Sequence, residues 1–311
     1  MKVSVVVCTY TIELFQDTLA CIGSLVNQDY VDKEMLLVMD RDEKLYQMFL
    51  DTIPDSVKIL INERPGLSEA RNLGIKNAEG DVIVFIDDDA VAEKSYLSNL
   101  TKNYEDEDVV GVGGKILPKR RPSYPEELYW IGGFTYKGFP EERSEVRNVL
   151  GCNMSFRREV FDKVGLFDTE LGRVGRKLVT AEETEFSIRV LNTLPDSKII
   201  YDPSAVVYHK VHEYRENLRY MLRRGYHEGI SKAQIERGHT KDSNDKPLAT
   251  EDKYLGYLIK NAIPERLKRA SMGERVASNL KEVFMLISVI GSVGIGFVVG
   301  KLTVNTRTPK T

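Results

Sequence analysis

Short apolar runs alternate with helix-like segments through the first hundred residues, and this alternation constrains the fold more than any other feature of the chain. The apolar runs, each typical of a buried strand, cover 3–7, 34–39, 57–61 and 81–86. Apolar residues at helical spacing lie between them, at 14–27 and 68–77. Because apolar strands that alternate with helices form parallel sheets covered on both faces, the sequence predicts an α/β fold.

Polar side chains follow three of these predicted strands at the point where each strand ends. Thr9 and Tyr10 follow the first strand, Asp40 follows the second, and an uninterrupted D-D-D run follows the fourth at 87–89. The carboxyl ends of parallel strands share one edge of a sheet, and ligands of open α/β sheets bind beyond that edge. The sequence therefore predicts a binding site built from several separate strands.

The D-D-D run is the strongest single indication of chemistry. Asp87 and Asp89 are two residues apart, so in an extended chain their carboxylates point the same way. Mg²⁺ or Mn²⁺ is usually held by one or two carboxylates together with phosphate oxygens, and a cation would offset the repulsion between the aspartates. The alternative is a solvated acidic turn, but its position after an apolar strand favours a metal site.

Charge and cysteine content exclude some classes of function. The chain has 44 basic and 47 acidic residues and a net charge of −3, which argues against a nucleic-acid binder driven by global basic charge. Its three cysteines, Cys8, Cys21 and Cys152, form no C-x-x-C pair. We expect reduced intracellular thiols rather than a zinc site or a disulfide framework. The N-terminal residues are typical of a first strand rather than a signal peptide.

An uncharged apolar stretch lies near the C-terminus, at 283–300. Its 18 residues approach the length of a membrane-spanning helix, and a small residue recurs every four positions at Ser292, Gly296 and Gly300. We predict a membrane segment at 282–302 that holds the protein at the cytoplasmic face of the cell membrane, either as one C-terminal segment or peripherally. The alternative is a buried or interfacial hairpin. Basic residues on both sides leave the orientation open.

Five motifs in order give the chain a resemblance to a known family. They are S-V-V-V-C-T-Y, G-L-S-E-A-R-N-L-G-I, V-I-V-F-I-D-D-D-A, L-G-C-N-M-S-F-R-R-E-V-F and A-E-E-T-E-F-S-I-R-V. Over 1–215 the sequence resembles family 2 glycosyltransferases, which implies the GT-A fold, a Rossmann-like mixed and mostly parallel sheet. The later stretches V-V-Y-H-K-V and L-R-R-G-Y-H-E-G-I-S-K-A resemble archaeal members that extend a sugar already attached to dolichyl phosphate.

The resemblance implies where the donor and the metal bind. The residues implied for the nucleotide-sugar are Thr9, Tyr10, Asp40, Arg71, Asp87 and Asp88, and Asp88 is expected to matter least. The implied ligands of Mn²⁺ or Mg²⁺ are Asp89, Asp87 and His209, and histidine suits Mn²⁺ better. Two alternatives stay open, namely that Arg71 is an ordinary surface arginine and that His209 is structural, with His212 as the competing ligand.

The resemblance also implies a catalytic base and an acceptor site. The base is expected at Glu183, with Glu182 second, because the family usually has aspartate at this place; the alternative is a solvated acidic start of a helix. The implied acceptor contacts are Gly151, Cys152, Asn153, Trp130, Arg223 and Arg224. Trp130 could equally be a packing residue, and the two arginines could belong to an ordinary solvated basic helix.

These observations predict an inverting glycosyltransferase that moves one sugar from a nucleotide-sugar, UDP-linked and with UDP-glucuronate as one candidate, to a lipid-phosphate-linked sugar. We expect a GT-A domain at 1–215, a helical and linker extension at 216–281, the membrane segment at 282–302 and a polar tail at 303–311. The open alternatives are a dolichyl-phosphate sugar synthase, a bacterial-type cell-wall or rhamnosyl transferase, and a non-catalytic nucleotide-sugar-binding protein. A nucleotidyltransferase is disfavoured because no glycine-rich loop follows the first strand.

Overall fold

The computed structural model describes residues 1–172, 181–239 and 248–303. Its contacts divide these residues into two compact units. The first unit contains 1–119, 140–172 and 182–210, and the second contains 120–139, 181, 211–239 and 248–303. Part of the predicted linker, 240–247, and most of the predicted polar tail, 304–311, lie outside the described residues. The boundary predicted at residue 215 stays a prediction.

The first unit is built on one nine-stranded mixed sheet, in the order β3-β2-β1-β4-β8-β6-β9-β5, with β7 paired to β9. The strands are β1 Val3–Thr9, β2 Lys33–Asp40, β3 Val57–Asn62, β4 Val82–Asp87, β5 Ala90–Ala92, β6 Val109–Pro118, β7 Ser144–Glu145, β8 Asn153–Arg157 and β9 Lys198–His209. Strands β1 to β4, β6 and β9 run in one direction, and β5, β7 and β8 run in the opposite direction. The predicted α/β class with a mixed, mostly parallel sheet is confirmed.

Six α-helices accompany this sheet among the described residues of the first unit. They are α1 Phe15–Val26, α2 Glu43–Leu50, α3 Leu67–Asn77, α4 Tyr96–Thr101, α5 Arg158–Val164 and α6 Glu182–Thr193. Two short 3-10 helices, Ile12–Leu14 and Lys102–Glu105, precede α1 and follow α4. The four predicted strands and the two predicted helices of the N-terminal hundred residues are confirmed to within a few residues at each end. Helix α2 was not predicted, because its apolar positions are few and its exposed face is polar.

A cluster of phenylalanines fills the core between the sheet and the helices. Phe156 on β8 and Phe85 on β4 pack against phenylalanines of α5 and α6 and against Phe167. Phe161 and Phe186 stack with ring centroids 5.0 Å apart and an interplanar angle of 14°. Burial of such large rings dominates core energetics. This packing fixes α6, and with it the acidic start of that helix, against the sheet.

The second unit is largely helical. Its elements are the 3-10 helices Glu126–Gly132 and Glu213–Arg215, α7 Leu218–His239, α8 Ala249–Tyr257, the π-helix Leu258–Ala262, α9 Ile263–Ser271 and α10 Val276–Thr303. The predicted helical and linker extension at 216–281 contains α7, α8, the π-helix, α9 and the start of α10.

Buried ion pairs and hydrogen bonds hold the helices of the second unit to the 3-10 helix Glu126–Gly132. Arg266 on α9 donates to both carboxylate oxygens of Glu127, at 3.0 and 2.7 Å, and also pairs with Glu282 on α10 at 2.8 Å. The hydroxyl of Tyr254 donates to the carbonyl of Glu127 at 2.7 Å. Bidentate arginine–carboxylate pairs add geometric specificity as well as energy, so Arg266 fixes the position of both helices relative to Glu127.

Helix α10 contains the predicted membrane segment. Among the described residues it is long and apolar enough to cross a bilayer, with a mean hydropathy of 2.4 over its most apolar window. One third of that window is buried within the protein. Length and composition alone do not decide between a helix that spans a membrane and one that packs on its neighbours.

Candidate active site

Three parallel strands deliver the predicted polar residues to one edge of the sheet. In the register of β1 and β4, Cys8 lies opposite Asp87, so Thr9 and the aspartate run emerge side by side. Asp40 ends β2 opposite Asn62, whose amide donates to the Asp40 carboxylate at 2.8 Å. Burial raises the pKa of Asp40, and the hydrogen bond from Asn62 opposes this shift. The predicted convergence of strand ends is therefore present in the fold.

Thr9 and Tyr10 differ in their accessibility. Thr9 is buried, and its hydroxyl lies 3.4 Å from the hydroxyl of Thr18 on α1. Tyr10 is 63% exposed, directly beyond the end of β1. Of the two residues predicted to line the nucleotide pocket, only Tyr10 offers a broad face to a ligand in this structure.

The three aspartates have different surroundings. Asp87 is partly exposed at the end of β4, whereas Asp88 and Asp89 are almost fully buried in the turn that leads to β5. Burial and then the neighbouring Asp89 raise the pKa of Asp88 well above its usual range, although a hydrogen bond from Thr9 opposes the shift. Within the described residues, Oδ2 of Asp88 is buried and accepts no hydrogen bond. A positive charge beside this buried carboxylate oxygen, which lacks a hydrogen-bond donor, would therefore be stabilising.

His209 lies against the aspartates because β9 pairs with β5. This pairing places His209 opposite Ala90, next in sequence to Asp89. The Nε2 atom of His209 is 2.9 Å from Oδ1 of Asp89 and 3.9 Å from Oδ2 of Asp87. The three residues predicted as metal ligands therefore lie together. Their carboxylate and imidazole donors suit a divalent cation such as Mn²⁺.

Cys152 is the residue that the sequence analysis did not connect with the metal. Its Sγ, a carboxylate oxygen of Asp87 and a ring nitrogen of His209 all lie within 4.8 Å of one another. It comes directly before β8, which pairs antiparallel to β4 and brings Asn153 opposite Ile86. Burial, then the charges of Asp87 and Asp89, raise the pKa of this thiol well above its ordinary value.

Arg71 connects the aspartates to the start of α6. From α3 its guanidinium donates to Oε1 of Glu182 at 2.6 Å and to the carbonyl of Gly151 at 3.1 Å, and it lies 3.6 Å from Oδ1 of Asp87. Arg71 is 3% exposed, so the alternative of an ordinary surface arginine is wrong. Burial opposes its charge, but Glu182 and Asp87 outweigh this effect and raise its pKa.

The two candidates for the catalytic base differ in burial and pairing. Glu182 is buried and is the ion-pair partner of Arg71. Glu183 is only partly buried, and its Oε1 accepts a hydrogen bond from Thr184 at 3.2 Å. Both belong to the first turn of α6, where the helix dipole favours carboxylates. The guanidinium of Arg71 already engages the Glu182 carboxylate, and this pairing favours Glu183 over Glu182 as the candidate base.

Of the predicted acceptor residues Gly151, Cys152 and Asn153, the structure rules out only Asn153, and an acceptor contact for the other two stays a prediction. The carbonyl of Gly151 accepts from Arg71. Asn153 is 0% exposed. Its Oδ1 accepts from the Tyr96 hydroxyl at 3.1 Å and from the Gly114 N–H at 3.2 Å. Its Nδ2 donates to the carbonyls of Lys115 and Ala205 at 3.3 and 3.0 Å. An amide with two acceptor sites and two donor hydrogens is then fully used, so Asn153 offers nothing to an acceptor.

The remaining acceptor candidates belong to the second unit. Trp130 is partly buried in the 3-10 helix Glu126–Gly132. Arg223 on α7 is exposed, whereas Arg224 is buried and pairs with Glu228 at 3.0 Å. The alternative of a solvated basic helix therefore applies to Arg223 and not to Arg224. An acceptor role for these three residues stays a prediction.

Comparison with known proteins identifies similar sequences and a similar fold. The family model described as "Glycosyl transferase family 2" matches residues 4–165. The chain is 35% identical over 313 residues to the glucosyl-dolichyl phosphate glucuronosyltransferase of Haloferax volcanii, covering 98% of each protein.

A second relative and a solved structure extend the comparison. The chain is 31% identical over 208 residues to the dolichyl N-acetyl-alpha-D-glucosaminyl phosphate 3-beta-D-2,3-diacetamido-2,3-dideoxy-beta-D-glucuronosyltransferase of Methanococcus voltae, covering 61% of each. A mannosyltransferase from Pyrobaculum calidifontis, solved with GDP-Man and Mn²⁺, superimposes with a TM-score of 0.63. That match has 18% identity and covers 96% of this chain and 87% of the other, so it supports the fold alone.

Proposed function

The chain belongs to glycosyl transferase family 2 and is a glycosyltransferase, and from this premise we propose that it adds one sugar to a sugar already carried on dolichyl phosphate. The proposed donor is a UDP-linked sugar, with UDP-glucuronate the first candidate, and the proposed transfer inverts the anomeric configuration. The near full-length similarity to the Haloferax volcanii glucuronosyltransferase and the acceptor named for the Methanococcus voltae relative support this choice.

One observation carries the proposal, namely that Arg71 joins the aspartate cluster to the acidic start of α6. Its guanidinium contacts Glu182 at 2.6 Å and lies 3.6 Å from Asp87, so a single side chain fixes the two acidic groups relative to each other. An inverting transfer needs a base on one side of the sugar and a binding site for the leaving diphosphate on the other. Glu183 is next to Glu182 in the same helical turn and is our candidate base.

We assign the metal to Asp87, Asp89 and His209, with the Cys152 thiol beside them. When bound there, a divalent cation would act as a Lewis acid that neutralises the charge of the leaving diphosphate. The excess of buried carboxylates around Asp88 supports this assignment, since it leaves a local negative charge to be compensated.

The remaining residues of the edge bind and orient in this proposal. Tyr10 and Asp40 lie where β1 and β2 end and would contact the base and ribose of the donor. Glu183 would accept the proton of the attacking hydroxyl group, and Arg71 would act through its neighbours by holding Glu182 and Asp87 in place. The transfer would take place at the cytoplasmic face of the cell membrane, where a soluble donor meets a lipid-linked acceptor.

A transfer assay with the purified full chain tests the proposal. The donors are UDP-glucuronate, UDP-glucose and GDP-mannose, and the acceptors are dolichyl phosphate and dolichyl phosphate glucose, each with Mn²⁺, Mg²⁺ or EDTA. We expect transfer only to the lipid-linked sugar and only with a divalent cation. NMR of the product should show the anomeric configuration opposite to that of the donor.

Substitutions separate the metal assignment from the acceptor assignment. Asp89→Ala should abolish transfer, and Asp55→Ala, at an exposed aspartate just before the start of β3 and thus at the opposite end of that strand from the site, should leave it unchanged. Full activity of Asp89→Ala would show that the metal assignment is wrong. Transfer to free dolichyl phosphate in place of dolichyl phosphate glucose would identify a dolichyl-phosphate sugar synthase instead.

A further inference from the structure

Helix α10 packs along α7 through a seam in which backbone meets backbone. A Cβ atom built on Gly296 would overlap the carbonyl of Tyr226, and one built on Gly229 would overlap the carbonyl of Val293. The hydroxyl of Ser292 donates to the carbonyl of Leu222 at 2.7 Å. Only glycine permits this approach, so Ser292 and Gly296, two of the regularly spaced small residues of the apolar segment, are already used in contacts with α7.

Helix α7 carries charges that keep it out of hydrocarbon. Arg224 and Glu228 pair at 3.0 Å, Lys232 lies 3.2 Å from Glu228, and Lys232 also pairs with Glu251 at 2.7 Å. Near the end of the seam, Lys301 of α10 forms an ion pair with Glu236 of α7. Charged side chains are costly at the centre of a bilayer. A helix packed on α7 in this way therefore cannot be surrounded by lipid.

The face of α10 that points away from α7 is an exposed apolar stripe. Its members recur every three or four residues, the spacing of one helical face. They are Leu280, Phe284, Ile287, Ile295, Val298 and Leu302, each exposed by between 48 and 80%. Gly291 and Gly294 complete the stripe, with no other atom near their missing Cβ positions. Over 283–300 the helix carries no charge.

Cations lie at the N-terminal end of this stripe, where Arg275 precedes α10 and Lys281 lies in its second turn. Lys301, in the last turn, is paired with Glu236 of α7. Lys268 and Arg269 end the neighbouring helix α9. Lysine and arginine near an apolar helix face attract the helix to anionic lipid headgroups and extend to the interface. An apolar stripe bordered by cations fits a lipid surface better than a protein groove.

We propose that α10 lies in the plane of a membrane surface, with the apolar stripe in the lipid and the glycine seam still packed on α7. The helix is about 42 Å long at about 1.5 Å per residue, so the stripe is a long anchor for an interfacial helix. A spanning helix would have to leave α7 or take the charges of α7 into the bilayer. The inference extends the proposed function, since a lipid-linked acceptor is reached at a membrane, but its test needs neither donor nor acceptor.

Vesicle binding tests the stripe. The full chain is sedimented with vesicles of phosphatidylcholine that contain phosphatidylglycerol. Ile295→Asp, alone and with Phe284→Asp, should reduce the bound fraction at least tenfold, whereas the matched Val31→Asp, at a residue 88% exposed in the first unit, should bind like the wild type. Equal thermal unfolding midpoints would show that these surface variants fold. Unchanged vesicle binding by the stripe variants overturns the proposal. Wild-type protein that does not bind vesicles, and whose stripe only joins two copies of the chain, overturns it as well.

Labelling of the two helix ends distinguishes an in-plane helix from a spanning one. Glu274→Cys, in the turn before α10, and Thr303→Cys, at its end, are added separately to preformed vesicles and treated with a membrane-impermeant maleimide. The wild type gives the background from the native cysteines. An in-plane helix leaves both sites fully labelled before detergent is added. If either site labels only after detergent, α10 crosses the bilayer and the proposal is wrong.

Discussion

Two clusters of buried charge in this protein differ in their balance. At the strand ends of the first unit, the described residues include four carboxylates and one guanidinium, that of Arg71, which pairs with Glu182 and lies 3.6 Å from Asp87; the other two carboxylates are those of Asp88 and Asp89. In the second unit, two cations alternate with two carboxylates; Arg224, Glu228 and Lys232 belong to α7 and Glu251 belongs to α8.

The pKa values reflect this difference. Burial and Asp89 raise the pKa of Asp88. Burial also acts to raise the pKa of Glu228, but Lys232 and Arg224 outweigh it and hold that pKa below its usual value. A balanced cluster is complete within the protein and stabilises the fold, whereas a cluster with excess negative charge is suited to a positive ligand. Burial alone therefore does not mark a functional site, and the charge left uncompensated does.

The largest effect concerns the chemistry beside the unbalanced cluster. Glu183→Gln should lower kcat about 10²- to 10⁴-fold with little change in KM, because removal of a general base acts mainly on the transition state. Steady-state kinetics measures this. Glu182→Gln is the matched variant, and we expect it to act mainly on stability through the lost pair with Arg71. If Glu182→Gln removes kcat and Glu183→Gln does not, the base is Glu182.

Removal of one charge from the balanced cluster should destabilise the fold. Glu228→Gln removes the carboxylate that pairs with Arg224. We expect it to lower the free energy of unfolding by about 3 kcal/mol, the low end for a broken buried pair, because Lys232 still pairs with Glu251. Denaturant unfolding measures the change in the free energy of unfolding. Glu265→Gln, which breaks an exposed pair with Arg269 on α9, is the control and should cost less than about 1 kcal/mol.

Removal of one charge from the unbalanced cluster should have the opposite sign. Asp88→Asn removes a buried carboxylate that Asp89 repels, so in metal-free buffer the free energy of unfolding should rise. The same denaturant titration checks this, with EDTA present. A loss of stability as large as that of Glu228→Gln would mean that the two clusters do not differ in the way proposed.

The smallest expected effect concerns a carboxylate of the first unit that accepts hydrogen bonds on both of its oxygens. Asp202 on β9 accepts from Asn103 at 2.8 Å and from the N–H and hydroxyl of Ser204 at 2.9 and 2.6 Å. Burial acts to raise the pKa of Asp202, but these hydrogen bonds and the charge of Lys102 outweigh it and lower that pKa from its ordinary value of 3.8. A lowered folded-state pKa means that its contribution is complete above 3.8 and is lost as the pH falls through the folded value.

Unfolding at a series of acidic pH values measures that contribution. Asp202→Asn should cost about 1 kcal/mol near neutral pH, and the difference from the wild type should shrink as the pH falls below about 4. A difference that is independent of pH would mean that the carboxylate charge contributes nothing.

The parallel strands and their polar ends could be predicted because each strand is a local pattern. The runs that became β1 to β4 are mostly apolar, and the position of the D-D-D run depends only on where β4 ends. The antiparallel strands were not predicted. β5 has three residues and is a strand only because β9 pairs with it. The proximity of Cys152 to His209 follows from such pairings, which no local pattern contains.

Two residues show why roles are harder to predict than positions. Asn153 is a polar residue next to a glycine in a family motif, which suggested contact with an acceptor. Three of its four hydrogen bonds are instead made to backbone groups of β6 and β9, and the fourth is accepted from the hydroxyl of Tyr96; all four partners are distant in sequence. Arg71 was expected to contact a ligand, but its guanidinium instead donates a hydrogen bond to Glu182, more than a hundred residues later in the chain.

The pairing of β5 with β9 also has a consequence for the order in which the protein is made. Asp89 and His209 are 120 positions apart, and at about 5–20 residues per second the ribosome needs roughly 6 to 24 s to pass from one to the other. During that interval the aspartates have left the synthesis site and the histidine does not yet exist. The proposed set of metal ligands comes together only when β9 joins the sheet, so the proposed site is complete only after almost all of the first unit has been synthesised.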